Sequence, residues 1–230
     1  MEYNIKNSII PENIIKQWQN IVDAISEVLS VPGAMINRVD PPALEVFRSS
    51  NSPDNPMHSG IRMPISEAYC RNTLKKQRHV KYTDAREDPE MAESEAVKDG
   101  YYAYMGYPLY WPGGEIFGTI CVVDNKVNAW KKQQDKILSA FKGMVETHLS
   151  LVYTIEELDK KNAQLQKALS EVKKLQGMLP ICATCKKIRD DKGYWKQIES
   201  YIREHSEAEF SHSICPECAD ALYKELDKIK

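Results

Sequence analysis

From about Phe141 to Leu179 apolar residues recur with a seven-residue period, and no proline interrupts the run before Pro180. With Leu151, Leu158, Leu165, Val172 and Leu179 at d, position a falls on His148, Ile155, Asn162, Leu169 and Gln176. A 3.5-residue repeat of this kind is buried between two supercoiled helices, which predicts a long helix pairing with a second copy of itself. Asn162 supports a parallel dimer, because one Asn at a costs stability yet fixes register and strand number. The polar a positions His148 and Gln176, with Leu175 at g, predict a stutter toward Gly177. The alternative is an amphipathic helix folded back on its own domain.

The remainder hangs from the two ends of this helix. At 230 residues and 42% hydrophobic content the chain holds an ordinary domain and a smaller module. Its 31 basic and 33 acidic residues nearly cancel, which gives no field for a polyanion or a membrane surface. The opening MEYNIKNSII lacks the n- and h-regions of a secretory signal, and no apolar run is long enough to span a bilayer. The expectation is a soluble cytoplasmic protein, where six cysteines read as thiols or metal ligands before disulfides.

Along the chain, Pro11 opens a helix whose apolar face runs from Ile14 to Leu29. A hairpin follows, Ala34 to Val39 and Ala43 to Arg48, turning at Asp40-Pro41-Pro42. Residues 51–63 read as a polar loop, and Ser66 as the cap of a short helix through Lys76. His79 to Thr83 reads as a strand and 84–100 as loop and helix. Two further strands, 101–111 and 115–124, are joined by Pro112-Gly113-Gly114.

This order, with GYPLYWPGGEIFGTICVVDNK as its most recognisable hairpin, resembles a GAF domain over residues 10–153. The resemblance implies an α+β fold, an antiparallel sheet with helices on one face and a ligand cavity under loops on the other. Domains of this family bind cyclic nucleotides, haem, bilins or small metabolites, and many serve only as dimerisation modules, so the ligand stays unknown. The candidate ligand-binding residues are Cys70, Tyr82, Asp84, Tyr104 and Tyr107. Cys70 reads as a tetrapyrrole anchor, an oxidisable sensor thiol or a small buried hydrophobe. Cys121 reads as strand core, and His58 and His79 as solvated unless one ligates haem. Tyrosine suits a small-molecule cavity, although period two divides the tyrosines of 101–111 between both faces of the sheet.

After Pro180, Cys182-Ala183-Thr184-Cys185 and Cys215-Pro216-Glu217-Cys218 are separated by the 29 residues 186–214. Two CxxC turns supply the four thiolates of a structural zinc site, so Cys182, Cys185, Cys215 and Cys218 are the predicted metal ligands. Redox or disulfide pairs are the alternative. Rubredoxin-type iron knuckles carry Gly after the second Cys, and Lys186 and Ala219 stand there instead. The stretch between the turns leaves room for a strand pair and a helix marked by Trp195, Ile198, Tyr201 and Ile202. Residues 179–223 resemble a module found on bacterial sensory and response-regulator proteins, after a sensor or receiver domain and a helical linker.

The organisation expected is therefore a sensor domain (10–153), a coiled-coil helix (154–178) and a zinc knuckle (179–223). Such a protein relays a small ligand or redox state through a homodimer to a downstream signalling protein. No nucleophile, base and orienter set is visible, which argues against an enzyme. A redox enzyme of the free methionine sulfoxide reductase type is the alternative, weakened by finding only Cys70 in place. A nucleic-acid reader built on Lys186, Lys187, Arg189 and Lys192 is the other, weakened by Asp190 and Asp191 among them.

Overall fold

The structure, a computed structural model, describes residues 9–55, 57–172, 179–190, 192–206 and 208–226. Its contacts divide the chain between Asp159 and Lys160 into two units.

In the first unit helix α1 (Glu12–Leu29) starts after Pro11, whose fixed φ suits a helix entry, and ends on left-handed Ser30. Strands β1 (Gly33–Asp40) and β2 (Ala43–Ser49) form the predicted hairpin, and β3 (Arg62–Pro64) adds to β2. β3 lies at the end of what the sequence presents as loop, because three residues are too few to show a period. Helix α2 (Arg71–Lys76) begins four residues later than a Ser66 cap predicts. Residues 64–71 instead make successive turns, with Glu67 N–H donating to Pro64 O and Arg71 N–H to Ala68 O. β4 (Val80–Tyr82), a 3-10 turn at Ala85–Glu87, α3 (Glu95–Lys98), β5 (Ala103–Tyr110) and β6 (Ile116–Asp124) follow. All pairs are antiparallel, in the order β3-β2-β1-β6-β5-β4.

Side-chain alternation gives this sheet two buried faces. Ala34, Ile36, Met105, Ile120 and Val122 pack against α1 and the first turns of α4 (Lys132–Val172), with Trp18 fully buried between Phe47 and Phe117. Met35, Leu44, Val46, Tyr104, Cys121 and Val123 face the other way, beneath the segments 57–76 and 91–101.

Helix α4 carries two apolar stripes about a third of a turn apart. Leu138, Val145, Leu149 and Val152 are buried on the sheet. Met144, Leu151, Ile155, Leu158, Leu165 and Leu169 are exposed, from 48% at Leu169 to 67% at Leu165. Between Met144 and Leu169 the apolar heptad positions thus form an exposed stripe, with one correction. His148 leaves it and turns to α1, where Trp18 Nε1–H donates to His148 Nδ1 at 3.1 Å. Burying the large indole requires a partner for its N–H, and His148 supplies it. Gln176, Gly177 and Leu175 lie outside the described residues, as does the side chain of Val172.

Because it accepts on Nδ1, His148 is neutral in the fold, and burial lowers its pKa from the usual 6.5. Its contribution to stability is therefore complete above about pH 6.5 and declines as pH falls toward the folded-state value, since only the unfolded chain gains the proton. The melting temperature of the first unit should fall between about pH 7 and pH 5, and His148→Gln should flatten that slope. An unchanged slope in the variant assigns the acid sensitivity elsewhere.

The second unit holds a two-stranded ribbon, β7 (Ile188–Arg189) with β8 (Trp195–Lys196), then α5 (Ile198–His205) and α6 (Pro216–Leu226). Trp195 belongs to the ribbon and not to the helix it was expected to mark. Among the described residues of 179–226 only Ile188 and Tyr201 are buried, so this segment has almost no apolar core.

Candidate functional site

A cavity of about 210 Å³ opens on the sheet face away from α1 and α4. Its walls are apolar, from Leu44, Val46, Ala68 and Val123, and three thioethers, Met35, Met57 and Met63, line it. Loop residue Met57 is held there by Asn55, whose Oδ1 accepts from Met57 N–H at 3.1 Å while its Nδ2 donates to Ser49 Oγ at 2.7 Å. Glu67, Glu95 and Asp99 stand exposed around it, and no Lys, Arg or His side chain lines it among the described residues.

A polar cluster in its buried wall is built on two adjacent strands. Register places Asn37 of β1 opposite Thr119 of β6, and Met35 opposite Cys121. Residues 35 and 37 therefore face the cavity together with 119 and 121. Cys70, at the N-terminal end of α2, completes the group. Cys70 Sγ lies 3.7 Å from Cys121 Sγ and accepts from Thr119 Oγ1–H at 3.1 Å. The Asn37 amide nitrogen is 3.3 Å from Cys70 Sγ, 3.4 Å from Cys121 Sγ and 3.1 Å from Thr119 Oγ1. Donation from Cys121, and then from Thr119, Tyr104 and Asn37, outweighs burial and draws the Cys70 thiol down to about 7. Cys121, donating to Cys70 and buried, is pushed up.

Tyr104 lies in this wall, stacked on Tyr69 at 5.3 Å between centroids, and its hydroxyl shares a 2.9 Å hydrogen bond with Thr73 Oγ1. Its ring needs Gly106, where an added Cβ would fall 2.0 Å from the Tyr104 hydroxyl oxygen. Burial raises the Tyr104 pKa strongly, so it is a neutral phenol. Of the five residues predicted to touch a ligand, Cys70 and Tyr104 line the cavity. Tyr82 is buried behind it, accepting from Asn72 Nδ2 at 2.7 Å. Asp84 sits on an exposed turn, paired with Arg86 at 2.5 Å. Tyr107 points to the opposite face, where its hydroxyl donates to Asp135 at 2.6 Å; burial first, then Asp135, pushes its pKa up to about 12. These three placements are corrections, and each follows from side-chain alternation or from a local partner invisible in sequence. Cys121 and Asn37 were missed as cavity residues, and Thr119 as their buried hydrogen-bonding partner; an Asn among the buried positions 34–37 was the available signal.

A model described as the GAF domain matches residues 13–149. The chain belongs to the GAF domain family. Among solved structures, the PixJ GAF domain of Thermosynechococcus elongatus aligns with a TM-score of 0.53 at 12% identity, covering 73% of this chain and 98% of that one. The free methionine-R-sulfoxide reductase of Neisseria meningitidis aligns at 0.52 and 14%, covering 61% and 80%. The GAF domain of an Acinetobacter phosphoenolpyruvate-protein phosphotransferase aligns at 0.51 and 13%, covering 66% and 90%. At such identities the likeness is one of fold. The diguanylate cyclase DgcP of Escherichia coli is 24% identical over 66 residues, 29% of this chain, and the match spans 19% of that relative's length.

The two CxxC turns carry the second candidate site. Around Cys182, Cys185 N–H reaches Cys182 Sγ at 3.5 Å, Lys186 N–H donates to Cys182 O, and Cys182 N–H to Lys187 O. Lys186 takes the left-handed conformation, φ 59, that Gly would adopt there. Backbone N–H donors of Cys185 and Thr184 lower the Cys182 pKa, and those of Cys218 and Glu217 lower that of Cys215. Cys215 precedes α6, with Pro216 at its first position and Ala219 N–H donating to Cys215 O at 2.9 Å, so Cys218 lies in the first helical turn. None of the four is in a disulfide. Donor type and thiolate-stabilising N–H groups thus fit zinc within each turn. Among the described residues no three His, Cys, Asp or Glu side chains gather around one point. No helix of the described residues is long and apolar enough to cross a membrane.

Proposed function

We propose that the GAF domain binds a small, neutral or cationic, largely apolar molecule without turning it over, and that this state is relayed through a dimeric α4 to a zinc-stabilised C-terminal module. The cavity carries the reading. Its volume suits a molecule of about one ring, since a 150 Å³ apolar cavity takes benzene, and a tetrapyrrole would not fit. Three carboxylates and no cation at its lining disfavour anionic ligands. The reductase alternative gains Cys121 as a second thiol, but the carboxylate of free methionine sulfoxide would meet acids where it needs a cation. Signalling agrees with the family and with the weak diguanylate cyclase match.

A thermal-shift panel pairing small aromatic amines and alcohols with carboxylates of equal size tests the ligand class. A binder at ~100 times its Kd should add about 2.7 kcal/mol. Carboxylates stabilising the protein as well as amines and alcohols, or no member of the panel acting, would contradict the reading.

The occupant proposed for the Met144 to Leu169 stripe is the same stripe of a second copy. Asn162 lies exposed between Leu158 and Leu165, where a parallel dimer would pair it across the seam. Leu158→Glu with Leu165→Glu should convert a dimer to a monomer in sedimentation, with the GAF domain still folded because both residues are exposed. A wild-type monomer at micromolar concentration would end the proposal. For the C-terminal module, Cys182, Cys185, Cys215 and Cys218 would hold zinc, whose contribution when bound is to cross-link the ribbon and α6.

A further inference from the structure

We infer that Cys70 and Cys121 form an oxidisable dithiol, converted to a disulfide by a small hydroperoxide entering the cavity. This goes beyond ligand binding and does not depend on it. Both sulfurs line the cavity, yet the residues are only 4% and 1% exposed, so the cavity is the route by which a reagent reaches them. The sulfurs are in van der Waals contact at 3.7 Å. The remaining neighbours prepare one of them. Asn37 directs its amide at both sulfurs, whereas Thr119 donates to Cys70 Sγ alone, so the anion develops on Cys70. The cavity's apolar walls and acidic surround admit a neutral peroxide and exclude anionic oxidants.

The chemistry balances without another participant. The Cys70 thiolate attacks the terminal oxygen of ROOH; the O–O bond breaks, and RO⁻ leaves as ROH after taking a proton. Cys70 becomes a sulfenic acid. Cys121 sulfur then attacks Cys70 sulfur, the S–O bond breaks, and the hydroxyl leaves with the Cys121 proton as water. In sum, two thiols and ROOH give one disulfide, ROH and H₂O, with two electrons passed to the peroxide. The new bond would tie the start of α2 to the central strand β6. It would also weaken the sulfur acceptors that Asn37 and Thr119 now engage.

The full-length protein is treated with tert-butyl hydroperoxide, its remaining thiols are blocked, and a non-reducing tryptic digest is mapped. The expected product links residues 63–71 to residues 99–126 and disappears on addition of dithiothreitol. In Cys121→Ser the link should be lost while dimedone captures a sulfenic acid on Cys70. In Cys70→Ser, Cys121 should stay unmodified, with at least tenfold less oxidation than Cys70 shows in the wild type. Absence of the link in wild-type protein whose Cys182, Cys185, Cys215 or Cys218 has become oxidised would overturn the proposal, as would equal oxidation of Cys121 with and without Cys70. The wild-type map decides the matter even if a variant fails to fold.

Discussion

Treating the purified protein with a strong zinc chelator is expected to unfold the C-terminal module and leave the GAF domain intact. The reason is quantitative. With only Ile188 and Tyr201 buried among the described residues of 179–226, apolar burial cannot offset the ordering of these 46 residues. Structural zinc in small fingers contributes roughly 10 to 16 kcal/mol of apparent binding energy, which is of the size needed. Strong chelation, or Cys182→Ser, should therefore collapse the amide signals of this segment, including those of α5 and α6. The signals of the sheet, whose two buried faces involve none of these cysteines, should not move. Survival of the C-terminal signals after chelation would show that the paired thiols hold no structural metal.

Gly118→Ala should be the most damaging single substitution in the GAF domain. Gly118 pairs with Arg38 in the centre of the sheet, and a Cβ there would stand 1.7 Å from the backbone oxygen of Asn37. Backbone cannot rotate aside as a flexible side chain can. β1 and β6 must separate, which disturbs both Trp18 packing on one face and the Asn37 cluster on the other. A loss of about 4 kcal/mol or more is expected, against total stabilities of roughly 5 to 15. Urea unfolding of the variant checks this, and a midpoint close to that of the wild type would mean that the central pairing is placed wrongly.

How much of this was readable in advance depended on whether the determining interaction is local. The face of α1, the β1–β2 hairpin and the β5–β6 hairpin declare themselves through period and turn residues, and the structure has them within a few positions. The heptad stripe was also legible, because exposed apolar residues repeat along α4. His148 was not: its departure from the seam depends on an indole 130 residues away. The start of α2 was misplaced because Ser66 looks like a cap, yet the chain makes turns there, with Arg71 bonding to Ser66 O at 2.8 Å. The second CxxC turn did not announce α6, although Pro216 at a first helical position was a usable sign. In the cavity, Cys70 and Tyr104 could be picked by residue type. Cys121 could not be distinguished from strand core, since its meaning comes from the register that sets Met35 opposite it and Asn37 opposite Thr119.

The most direct test of the central claim, that the cavity beneath β1 and β6 is the ligand site, is a methyl NMR titration of methionine-labelled protein. Met35, Met57 and Met63 line the cavity, whereas Met105 is buried on the other face of the sheet and Met144 is exposed on α4. Titration with the best amine or alcohol from the thermal panel should shift the methyls of Met35, Met57 and Met63 in a saturable manner and leave those of Met105 and Met144 in place. A ligand that stabilises the protein while shifting Met105 or Met144, with the three cavity methyls unmoved, would contradict the account.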